Sequence, residues 1–106
     1  MKSGYVTVFV MCGSRKEANA ITGALLKKRL IACANIFGHV TSHFWWKGKI
    51  DKASEVLVIM KTRSANFAKV EREVKRLHSY DVPEIIALPI TAGSSAYLGW
   101  IRDTTV

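Results

Sequence analysis

The chain has 106 residues, 49% of them hydrophobic, which suits one globular domain with a single core and excludes a disordered chain. Its formal net charge is +8, with nine Lys/Arg against two acids in residues 1–53 and seven against six in residues 54–106. No segment approaches the ~20 apolar residues that cross a bilayer.

Tyr5–Met11, with the sequence YVTVFVM, is β-branched and aromatic, which predicts a buried central strand. It is too short for a signal peptide and no Ala-x-Ala-like cleavage site follows. The two cysteines are 21 positions apart and form no Cys-x-x-Cys pair. A cytoplasmic protein without disulfides is the expectation.

Ser14-Arg-Lys-Glu17 has the form of a capping box, with Glu17 reaching back to the N-cap. Ala18, Ile21, Ala24 and Leu25 then keep helical spacing up to Lys27-Lys28-Arg29. Gly23 interrupts good helix formers, and close packing is its expected reason.

Residues 31–46 alternate as one long strand, with Ala34, Ile36, Val40, Phe44 and Trp46 on one face. Cys33, Asn35, Phe37, His39, Thr41, His43 and Trp45 fall on the other, and Gly38 marks a bulge. Lys47–Lys52 is read as the turn and residues 54–62 as the hairpin partner.

Ser64 is the expected cap of a second helix carrying Phe67, Val70, Val74 and Leu77, which ends near His78 because Pro83 approaches. Residues 84–90 form a strand, placed partly on an edge by Pro89. Ser95–Arg102 closes the chain as a short helix. The fold class is therefore α+β, a ferredoxin-like β-α-β-β-α-β sandwich with a short C-terminal helix. The apolar sheet face opposite the helices needs a cover, which predicts oligomerisation.

The cations gather at two helix C-termini and one hairpin, so solvated structural charge is expected rather than nucleic-acid binding. Cys12 lies between a strand end and a helix start, where thiolate is favoured and a metal can be bound. Thiolate with imidazole suits copper or zinc. In this topology Cys12 and His78 are expected at opposite ends of one subunit, so a shared site would draw on neighbouring subunits, or the two would form separate weak sites. Cys33 reads as structural. His39 and His43 lie about 13 Å apart on a strand, too far for one ion. Lys61, Tyr80, Glu84 and Trp46 are grouped as an intersubunit polar and aromatic cluster, with Lys61 or a neighbouring chain as the partner Glu84 needs. No catalytic motif is present, and the chain is not expected to be an enzyme.

Several separated motifs resemble the CutA divalent-cation tolerance family. They are RLIACANI at 29–36, Trp46-x-Gly48-x-Ile50 followed by Glu55, Lys61-Thr62, His78-x-Tyr80-x-x-Pro83-Glu84 and Tyr97-x-x-Trp100. The resemblance implies a cytoplasmic homotrimer, similar in build to PII-type signalling proteins, with a role in copper and other metal tolerance. It also implies Cys12 and His78 as copper ligands. Leu77 stands where some bacterial members have a second histidine, and Ser79 where members often have proline. The alternative from another class is a PII-like scaffold that binds a small ligand in intersubunit clefts.

Overall fold

The structure, a computed structural model, describes residues 4–106. Four strands and three helices follow one another as β1 (Tyr5–Cys12), α1 (Arg15–Lys27), β2 (Cys33–Trp46), β3 (Lys49–Arg63), α2 (Phe67–Leu77), β4 (Ile85–Pro89) and α3 (Ser95–Thr104). The strands form one antiparallel sheet in the order β2-β3-β1-β4. The element order is the one the sequence predicts.

Strict alternation in β1 decides where the core lies. Val6, Val8, Val10 and Cys12 are buried, while the residues between them are only half-buried. Val58 and Met60 of β3 join them, covered by Ala18, Ile21 and Leu25 of α1 and Val70 and Val74 of α2. Each such aliphatic side chain contributes about 1.5–3 kcal/mol by leaving water. β1 is central as expected, but only one of its faces is fully buried. β4 pairs only with β1, so Pro89 does sit on an edge strand.

The ends of α1 are built from local chemistry. Ser14 Oγ accepts from the Glu17 N–H at 3.1 Å, while Glu17 Oε1 accepts from Gly13 rather than from Ser14. At the other end Arg29 adopts φ 56°, and the Leu30 N–H reaches back to Leu25 O at 3.0 Å. This left-handed cap turns the chain so that Leu30 and Ile31 enter the core. Gly23 is exposed and a side chain there would meet nothing within 4 Å, so close packing is not its reason.

Ser64 does not cap α2. A 3-10 turn spans Ser64–Asn66, and Asn66 occupies the N-cap without a side-chain cap bond. Its amide is used elsewhere, on Thr62 Oγ1 and on Val106 O.

The largest departure from the sequence reading lies in the hairpin. The turn is only Lys47-Gly48, with φ 52° and 77°, so Lys49–Lys52 belong to β3 and Lys49 pairs with Trp46. The bulge at Gly38 is real: Phe37 pairs with Leu57 but Val40 pairs with Glu55, one residue out of step. One extra residue reverses every later side chain in a strand. Ala34 and Ile36 therefore share the helix-covered face, whereas Val40, Phe44 and Trp46 lie on the open face with Phe37. Beyond Cys12 and Val56, where β1 pairing ends, β2 and β3 continue alone as a two-stranded ribbon.

Candidate metal centre and adjoining cleft

β3 is antiparallel to β1 and ends at Arg63 beside Tyr5. α2 starts there and runs back along β1, so its end meets the end of β1 at Cys12. The sequence reading, which put Cys12 and His78 at opposite ends, is corrected by this geometry. Ligand atoms of Cys12, Glu17 and His78 all lie within 4.8 Å of one another, inside one subunit.

The hydrogen bonds set the state of the imidazole. His78 Nε2 lies 2.7 Å from Met11 O, a carbonyl that can only accept, so Nε2 carries the proton. Nδ1 then accepts from the Tyr80 N–H at 3.1 Å and faces Glu17 Oε2 at 3.8 Å. The side chain is fully buried, and its ring packs at 4.7 Å from that of Tyr80. His78 thus ties the end of β1 to the segment leading into β4.

Glu17 is the residue the sequence reading left in a purely structural role. Its carboxylate accepts from Gly13 N–H at 3.0 Å and Ser79 N–H at 2.7 Å. Burial alone would push this carboxyl up, but the bonds from Gly13 and Ser79 outweigh it and hold it below the usual range. A depressed carboxyl stabilises the fold above its unfolded pKa of about 4.3, and that contribution is lost as pH falls through the folded value. Thermal melts between about pH 6 and pH 3 should show Glu17→Gln less stable than wild type at the upper end, with the gap narrowing as pH falls.

Cys12 does not behave as a helix-activated thiolate. Burial, with the negative charges of Glu17 and Glu55 added, pushes its thiol up to about 12. It is a fully buried neutral thiol at neutral pH. Cys33 is half-buried, with its Sγ 3.3 Å from Tyr97 Oη. An aromatic disulfide reagent should therefore label only one thiol rapidly in the native chain, and Cys12 only on unfolding. Two fast equivalents would contradict the buried thiol.

The second group from the sequence reading is only partly brought together. Trp46, Tyr80 and Glu84 line one cleft of about 660 Å³, between the projecting ribbon and residues 80–84. Lys61 is not there: it sits opposite Thr7 and Cys33 in the sheet and donates to Asn35. Glu84 is exposed and has no ion pair among the described residues, so Lys61 of the same chain is not its partner. The acid that Tyr80 holds is Glu55, with Tyr80 Oη donating to Glu55 Oε2 at 2.8 Å. Burial first, then this bond, raises the Tyr80 phenol to about 12. The sequence reading named Glu55 only within a family motif and missed its place here, because its depth depends on the bulge and on residue 80. His43 also lines the cleft, while the exposed His39 contacts Ser54 Oγ at 3.1 Å. Tyr97 and Trp100 pair on α3, away from both sites, with ring centroids 5.5 Å apart.

Two helices on one face of a four-stranded antiparallel sheet, with a thiol, an imidazole and a carboxylate converging at the end of a central strand, define a small α+β protein with a donor set of the kind that could hold a metal ion. The sequence pattern of the CutA1 divalent ion tolerance protein family matches residues 6–104. The chain belongs to that family. It is 47% identical over 97 residues to the divalent-cation tolerance protein CutA of Archaeoglobus fulgidus, covering 92% of this chain and 94% of that one. The human Protein CutA is 43% identical over 108 residues, and the match covers 97% of this chain but 60% of the human one. Among solved structures, the Archaeoglobus fulgidus protein, described as periplasmic, superposes with a TM-score of 0.92 at 46% identity over 94% and 97% of the two chains. The Thermus thermophilus protein gives 0.94 at 40% identity over 96% and 99%.

Proposed function

We propose that this protein serves divalent-cation tolerance by binding a divalent ion, copper above others, through Cys12, Glu17 and His78. The observation that carries the reading is the convergence of those three donor atoms within 4.8 Å. An ion bound at about 2.0–2.3 Å needs its donors about 3.5 Å apart, so closure by about 1 Å would complete the set. The bond from His78 Nε2–H to Met11 O is the kind of outer contact that orients a ligating imidazole. Thiol and imidazole together favour copper and zinc over hard cations.

Binding has a cost that makes the site weak. The ion must displace the Cys12 proton and take the Nδ1 lone pair from the Tyr80 N–H. Affinity therefore rises with pH, and uptake releases a proton. The same reading includes a ferredoxin-like subunit, a homotrimer, a cytoplasmic location and no catalytic step. Exposed Phe37, Ile86 and Leu88 on the open sheet face support the assembly.

Native mass spectrometry with Cu(II) tests it. The expected result is a trimer taking up one ion per chain, with uptake reduced by Cys12→Ala and by Glu17→Gln. A chain that stays bare, or uptake indifferent to both variants, overturns the metal reading. The cleft beside the ribbon supports a second reading, a PII-like scaffold that binds a small ligand.

A further inference from the structure

The cleft beside the ribbon is lined by Asp51, Glu55, Asp81 and Glu84, which are four of the eight acids in the chain. Among the described residues, no lysine or arginine lines it. On a chain of net charge +8, that segregation needs a physical reason. None of these four carboxylates takes part in an ion pair among the described residues. Glu55 is the clearest case. It is only 7% exposed, its Oε2 is held by Tyr80, and among the described residues no hydrogen bond or ion pair reaches its Oε1. Among the described residues only Thr22 Oγ1 is a buried side-chain polar atom without a partner, so the second oxygen of Glu55 is not sealed off, and a cation in the cleft that Glu55 lines can reach it.

The chemical class of that cation follows from the walls. Phe44, Trp46 and Tyr80 lie in its walls, and aromatic rings attract ammonium groups; Lys47 Nζ of the ribbon already stands 5.9 Å from the centroid of the Trp46 ring. A bare divalent ion fits poorly. Among the described residues, three donors of metal-ligating type come together only at Cys12, Glu17 and His78, so the carboxylates of the cleft do not converge on one point. Four dispersed charges around a space of about 660 Å³ match a ligand whose own charges are spread out.

We propose that this cleft binds an extended organic cation, an amine bearing more than one ammonium group along an apolar chain. The inference deepens the scaffold reading and is independent of the metal centre. Its ammonium groups meet the carboxylates, its methylenes lie on Trp46 and Phe44, and Glu55 receives the innermost charge.

The test is calorimetric titration of the full chain with spermidine at about 0.15 M salt, where loose surface attraction is screened. The expected result is saturable uptake of one molecule per chain, weakened about tenfold by Glu84→Gln and by Asp81→Asn. Glu71→Gln removes the same charge from the surface of α2 and should leave uptake unchanged. Both cleft variants change exposed residues, so the fold is not at risk. Absence of saturable uptake overturns the proposal, as does equal loss in Glu71→Gln. One-for-one displacement by Mg²⁺ overturns it in favour of a metal ion. Saturable binding of citrate instead overturns it but leaves a ligand-binding scaffold standing. If spermidine binds only when Lys47, Lys49 and Lys52 are all replaced by alanine, a lysine tip from a second copy fills the cleft and the proposal falls.

Discussion

His78→Ala is expected to lower the stability of the metal-free protein by about 2–4 kcal/mol. The ring is fully buried and engages Met11 O through one nitrogen and the Tyr80 N–H through the other. Removing it leaves a carbonyl and an amide without partners and opens a void beside Tyr80. That cost arises with no ion present, which separates the fastening role of His78 from any role as ligand. His78→Gln can donate to Met11 O again and should recover part of the stability without recovering copper uptake. Urea unfolding of the metal-free variants, at one fixed chain concentration, measures both. A His78→Ala protein as stable as wild type without metal would mean that these hydrogen bonds contribute little.

Leu25→Ala carries the largest expected loss elsewhere in the chain, about 3–5 kcal/mol. Leu25 is fully buried, facing the sheet with Ile21. Its neighbour Leu26 is exposed on the far side of α1, and Leu26→Ala should change stability by about 0.5 kcal/mol or less. The same chemical change at adjacent positions differs because a helix turns about 100° per residue. Similar effects from the two variants would contradict the placement of α1 on the sheet.

Reading the sequence worked where a signal is local. The β-branched and aromatic run YVTVFVM, the spacing of Ala18, Ile21 and Leu25, and that of Val70 and Val74 placed the strand and both helices, because those side chains meet one core. Gly38 marked the bulge because a glycine inside an alternating strand commonly sits where one strand takes an extra residue. What the bulge does to the side chains beyond it was not legible. A shift of one residue in pairing is decided by β3, and it moves Phe44 and Trp46 from the core side to the cleft.

The candidate site divides in the same way. Cys12 and His78 stood out by residue type and by family resemblance, yet their distance was misjudged because the direction of α2 relative to β1 depends on sheet order. Glu17 was seen as a capping residue, which it is; its second carboxylate oxygen reaches Ser79, 62 positions away. Glu55 entered only as part of a family motif and Asp81 gave no signal, since an acid gains meaning only from what surrounds it.

By itself the sequence determined the α+β class, the order of elements, the edge position of the last strand and the family. These follow from periodicity, turn chemistry and residues close along the chain. The tertiary structure decided that Cys12, Glu17 and His78 converge within one subunit, that the thiol is neutral, and that four acids face one cleft with no described lysine or arginine in its walls. Distances between remote residues and the loss of water around them are set by packing, which no stretch of the chain encodes alone.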